Sequence, residues 1–224
     1  MSRILPSACA LFVALAALSG CAPATRPGGA TVTAHKVPGE EHPLSGTEKA
    51  RLARGETIVR EHTIDEGDRH YVGGVTYTMV DADANRLWAI FGDMDAYRRV
   101  LPKTKQAKLV GHDGTDTLIE LVQGNALVSA EYTIRVRTDA DAREMRFWLE
   151  PSRPHSIDDA WGFFRLAPFI NDNGEPRILL TYGVMVDVGP GLVRELFEEK
   201  VRAALLAVPQ RVRRYVVEGR RVER

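Results

Sequence analysis

Few side chains in this sequence stand at spacings that could do covalent or metal chemistry. The six histidines are His35, His42, His62, His70, His112 and His155, and no two share one helical turn as a zinc pair would. Asp158 and Asp159 are adjacent. Neighbours on a strand point to opposite faces, so they do not converge as an acid–base pair must. Asn171-Asp172-Asn173-Gly174 starts like a calcium loop, but Tyr182 stands where the bidentate Glu belongs. It reads as a turn. Ser129 and Ser156 lack the setting of a nucleophile elbow, and there is no glycine-rich phosphate loop. No catalytic residue, metal or cofactor is expected. The polar groups left are phenols. Tyr132 and Tyr182 fall in strand-like stretches, where a buried hydroxyl needs a partner and could orient the polar end of a ligand.

The two cysteines are Cys9 and Cys21. Arg3 gives a basic start, Ala8 to Leu18 is apolar, and Leu18-Ser19-Gly20-Cys21 closes the segment. The run is too short for a bilayer, which takes roughly 20 residues, and reads as an export signal. Its end resembles the lipobox of bacterial lipoproteins. That resemblance implies cleavage after residue 20, a diacylglycerol thioether on Cys21 and a protein held to a membrane surface in the cell envelope. Ala22 instead of Asp implies the outer membrane, facing the periplasm, in a cell with two membranes. Cys9 would leave with the signal, so the folded part would keep no free thiol. A disulfide framework, a cysteine nucleophile and a cysteine metal site are then excluded.

The chain has 30 basic and 30 acidic side chains, which argues against a nucleic-acid partner. With 44% apolar residues over 224 positions it can build a core. Residues 21–46 read as a lipidated cysteine and flexible tether. Pro23, Pro27, Pro38 and Pro43 alternate there with Gly28, Gly29, Gly39 and Gly46. Residues 47–69 read as a helical lead-in, opened by a capping box at Ser45 and Glu48. The main domain is expected over 70–218 and a basic tail over 219–224. The arginines crowding that end suit a solvated helix terminus or an anionic membrane.

Within the domain, His70–Val80 reads as a strand. Leu87, Trp88, Ile90 and Phe91 share a helical face, and Asp95–Val100 makes a second short helix stopped by Pro102. Asp113-Gly114 marks a hairpin turn. Val128, Ala130, Tyr132, Ile134 and Val136 alternate with polar residues, as a half-buried strand does. Met145, Phe147 and Leu149 mark one face of the next strand, and Ile157–Leu166 and Ile178–Val188 follow. After Gly189-Pro190-Gly191, apolar residues from Leu192 to Val216 recur at helical spacing, with Pro209 expected to kink the helix. The expected fold is α+β. A curved seven-stranded antiparallel sheet grips one long C-terminal helix, with two short helices after strand 1.

Several stretches carry a second resemblance. They are Val80–Ala84 leading into Leu87–Asp93, Tyr97, Leu101-Pro102, Gly162–Leu166, Leu179–Tyr182 and Gly189-Pro190-Gly191 before the helix. In order and spacing they resemble the START-like superfamily, also called SRPBCC, which includes polyketide cyclases and lipid-transfer proteins. The resemblance implies a helix-grip fold with an apolar cavity between sheet and helix. Tyr132, Phe147, Phe164 and Tyr182 on strands, Phe197 and Val201 on the helix, and Tyr97 and Leu101 at the mouth are the candidate lining. The leading expectation is a membrane-anchored binding module for a hydrophobic small molecule, lipids foremost. The alternatives are a cyclase or dehydratase using the same cavity, and a structural or partner-binding envelope lipoprotein.

Overall fold

A computed structural model of the chain describes residues 36–124, 129–170 and 174–222. Cys21, the export segment, residues 171–173 of the expected turn and the last two residues of the tail lie outside them.

Eight strands form one antiparallel sheet in the order β1-β2-β8-β7-β6-β5-β4-β3. They are β1 (Ile58–Glu66), β2 (Arg69–Val80), β3 (Thr104–Asp113), β4 (Asp116–Gly124), β5 (Ser129–Asp139), β6 (Glu144–Leu149), β7 (Asp159–Ile170) and β8 (Pro176–Asp187). The sequence suggests seven. The extra strand is β1, which lies where a helical lead-in was expected, and only α1 (Gly46–Ala53) is helical there. Arg60 and His62 hold positions on the strand that an apolar pair would normally mark, so the alternation is masked. Arg60 is paired instead with Glu48 of α1, at 2.8 Å, and donates to the carbonyls of His42 and Pro43.

Between β2 and β3 the chain crosses to the far edge through α2 (Ala84–Ala89), a 3-10 turn (Ile90–Gly92) and α3 (Met94–Val100). Asp83 caps α2, accepting from the backbone N–H groups of Asn85 and Arg86, and Asp93 caps α3. The sheet then returns by hairpins to β8, beside β2.

Side chains of alternate parity build two separate cores. The concave face carries Ile134, Val136, Met145, Leu149, Phe164, Leu180, Tyr182 and Val184, closed by the C-terminal helices. The opposite face carries Tyr71, Val75, Tyr77, Trp161, Phe163 and Met185. Residues 37–53 cover it, with Val37 and Leu52 fully buried. Packed structure therefore begins well before residue 46, where the tether was expected to end. Glu40 fixes this strap with two ion pairs, to Arg146 of β6 at 2.7 Å and Arg165 of β7 at 2.9 Å. Beyond the strap, the same face over β4 and β5 carries charge. Arg135 pairs with Asp113 and Glu150, and Arg137 with Asp116.

The expected single C-terminal helix is two, α4 (Leu192–Leu206) and α5 (Val208–Val222). Ala207 separates them. Pro209 has no N–H to donate, so it ends one helix and is accommodated in the first turn of the next. The break exposes the Leu206 carbonyl, which accepts a 3.0 Å hydrogen bond from the hydroxyl of Thr76 in β2. Both residues are buried. Thr76→Val keeps the shape and removes the donor, leaving a buried carbonyl unpaired. It should cost about 1–3 kcal/mol, read as a lower denaturant midpoint with an unchanged slope.

Candidate functional site

Helix α4 lies over the concave face without filling it. Between them is a cavity of about 430 Å³. Phe197, Val201, Ala204 and Leu205 line it from α4, one stripe at three- and four-residue spacing. Ala130 and Tyr132 of β5, Ile157, Val186 of β8 and Val188 line it from the sheet side. Pro102 and Lys103, between α3 and β3, stand at its edge with Lys200 of α4.

Polar ties hold α4 in this position along with the burial of Leu206. Leu196 is 63% exposed and Phe197 37%. Glu198 meets His70 Nε2 at 3.0 Å, while His70 Nδ1 meets Asp65 at 2.6 Å, so the imidazole bridges the β1–β2 hairpin to the helix. Arg202 donates to Glu198 at 3.0 Å and to Thr63 of β1 at 3.1 Å. The last turn of α4 is held by Thr76.

Tyr132 and Gln123 form a hydrogen-bonded pair on the cavity wall, where Ser129 and Ser156 also stand. Tyr132 Oη donates to Gln123 Oε1 at 2.5 Å, and the two are diagonal neighbours on β5 and β4. Gln123 Nε2 in turn donates to Thr104 Oγ1 at 2.9 Å and to the Pro102 carbonyl at 3.3 Å. Burial pushes the Tyr132 phenol well above its ordinary range. At any usual pH it is a neutral donor and acceptor and not a base.

The structure places the eight residues singled out in the sequence in two groups. Tyr132, Phe197 and Val201 line the cavity. Phe147, Phe164 and Tyr182 lie on the same concave face but pack on one another and on Phe91. The centroid separations are 4.4 Å for Phe164–Tyr182, 5.0 Å for Phe91–Phe164 and 6.4 Å for Phe147–Tyr182. They fill the space that they were expected to line. Tyr97 is buried in α3 and donates to the Phe91 carbonyl at 3.2 Å. Leu101 packs on the core while its successors Pro102 and Lys103 reach the cavity. Gln123, Lys103 and Lys200 were missed. Ala204 and Leu205 extend the Phe197–Val201 stripe and were legible by spacing.

A larger depression, of about 1000 Å³, lies between the α2–α3 segment and α5. Arg86, Arg99, Arg211, Arg214, Asp93 and Glu218 line it together with Ala89, Ile90, Tyr215 and Val216, so it carries charge of both signs beside apolar surface. Among the described residues, no three or more His, Cys, Asp or Glu side chains are grouped to hold a metal.

No protein-family model matches the chain. No curated protein matches it either. Its likeness to solved structures is one of fold. It superposes on a STAR-related lipid transfer protein from Xanthomonas axonopodis with a TM-score of 0.57, at 14% identity, over 71% of this chain and 92% of that one. For the TTHA0849 protein of Thermus thermophilus the TM-score is 0.50, at 15% identity, over 65% of this chain and 97% of that one. With the sheet and C-terminal helices described above, these superpositions show a START-like, helix-grip fold.

Filling the cavity from the α4 side tests whether it admits a ligand. Ala204→Trp puts an indole into existing space, so it avoids the strain of an overpacked core. Uptake of a solvatochromic apolar probe should fall to background, with the melting temperature within about 4 °C of the parent.

Proposed function

We propose that this START-like domain is a binding module for a hydrophobic small molecule, a lipid or a compound of similar polarity, held between the sheet and α4. The observation that carries the reading is the 430 Å³ cavity itself, walled mainly by aliphatic and aromatic side chains with a few polar groups, Tyr132 hydrogen-bonded to Gln123 among them. Ligand sites have this composition, a mostly apolar wall with a few placed polar groups. The fold shared with a lipid transfer protein supports the reading. Conversion of the ligand is less favoured. A cyclase or dehydratase needs a proton donor or acceptor matched to its working pH, and burial keeps Tyr132 protonated.

The same proposal places the domain at a membrane, tied by acylated Cys21, in the cell envelope and at the outer membrane where there are two. The support is the Leu18-Ser19-Gly20-Cys21 segment with Ala22 after it. Anchorage would let a carrier sample one membrane without diffusing away.

Two measurements test the two halves. Native mass spectrometry of the protein, followed by organic extraction, should release an apolar species of defined mass. A clean unliganded mass with no uptake from a lipid mixture would remove binding and promote a structural or partner-binding role. Separately, a clickable fatty-acid label should mark the wild-type chain in the membrane fraction and not Cys21→Ser. Equal labelling of both would remove the anchor and leave the binding reading untouched.

A further inference from the structure

The charge on the cavity wall is all of one sign. Lys103 and Lys200 line the cavity, and no Asp or Glu does. Both lysines are exposed, and among the described residues neither has a carboxylate partner. Their surroundings explain this. On α4, Glu198 is engaged by His70 and Arg202, and Glu199 by Arg202 at 2.9 Å, so the acids next to Lys200 are already paired. Lys200 Nζ instead lies 5.3 Å from the centroid of the Phe197 ring, on the wall of the same cavity. Lys103 occupies a left-handed turn, with φ of 49°. Its carbonyl is held by the Gly124 N–H at 2.9 Å, which pins the turn to the end of β4. Two unpaired ammonium groups are thus built into the rim of an apolar hole from two different elements.

We propose that the ligand is an amphiphile with an anionic head, a carboxylate or a phosphate monoester, on one acyl chain or one fused-ring body. The head is met at the rim by Lys103 and Lys200, and the body lies against Val201, Leu205, Ile157 and Val186. This rests on the binding reading above and narrows it. The size follows from the volume. A cavity of about 430 Å³ is near the lower end of ligand pockets, roughly 300–1,000 Å³, which suits one chain and not two. The sign follows from Coulomb's law at a low-dielectric wall, where like charges without counterions attract an anion and repel a cation.

The test uses the purified full chain and displacement of a fluorescent apolar probe by tetradecanoate, tetradecyl phosphate and tetradecanol. The acid and the phosphate should bind about tenfold more tightly than the alcohol at low salt, with the gap narrowing as salt rises. Lys103→Gln and Lys200→Gln should each lower the acid-to-alcohol affinity ratio about three- to fivefold, as the loss of one exposed ion pair does. Alcohol binding that persists in each variant shows that the cavity is kept. If the alcohol binds as tightly as the acid, or the variants leave the acid-to-alcohol ratio where it was, the head-group assignment is overturned while binding stands. If none of the three displaces the probe, both are overturned.

Discussion

The hydroxyl of Thr76 against the carbonyl of Leu206 sets where both C-terminal helices go. Pro209 forces a break, and a break inside a protein leaves backbone groups without partners, which burial makes costly. Thr76, buried in β2, supplies the missing donor and so fixes the break over one point of the sheet. The two helices then take different tasks. Val208, Val212 and Val216 of α5 enter the concave core, each at most 2% exposed. Helix α4 reaches that core at its last turn, through Leu205 and Leu206, and is tied at its flank by Glu198 and Arg202 to the β1–β2 hairpin. An unbroken helix would have to follow one line, and could not both seal one end of the sheet and stand clear of the other.

Side-chain volume decides which end stays open. Phe91, Phe147, Phe164 and Tyr182 stack across β6, β7, β8 and the 3-10 turn, and their rings close that part of the concave face. Towards the other part, many of the residues facing the gap are small, among them Gly124, Ser129, Ala130, Ala204 and three valines, and the space between sheet and α4 stays open. The core is well packed on one side of Tyr132 and hollow on the other. Tyr132 marks the boundary, with its ring in the concave core layer and its hydroxyl tied to Gln123.

Periodicity made most of the sheet legible, because β5 and β6 alternate and β7 and β8, buried on both faces, read as continuous apolar runs bounded by turns. It failed where an inward position is polar. Arg60 and His62 are placed against the strap and not against a hydrocarbon core, so β1 lacks the alternation that identifies a strand. The strap itself has one fully buried apolar residue between Lys36 and Leu44, Val37, and its main anchor is charged, Glu40 between two arginines. Composition alone makes such a stretch look unstructured. For the site, spacing on α4 identified Phe197 and Val201. The strand aromatics were assigned to the right face, but a pattern of faces cannot tell a ring that lines a hole from one that fills it. Lys103 was invisible because a left-handed turn, not a periodic element, carries it to the rim.

The two-sided sheet also separates the strap from the cavity. On β7, Trp161 and Phe163 point to the strap, while Ala160 and Phe164 point to the concave core. The strap occupies the face opposite α4. Val37, Glu40 and Leu44 therefore lie on the side away from the cavity. The strap is held there by Glu40 with Arg146 and Arg165, on β6 and β7, and by the burial of Val37 and Leu52. None of these residues lines the cavity. The strap thus covers one apolar face of the sheet while the cavity forms on the other, with its rim at Lys103 and Lys200 built from the α3–β3 turn and α4.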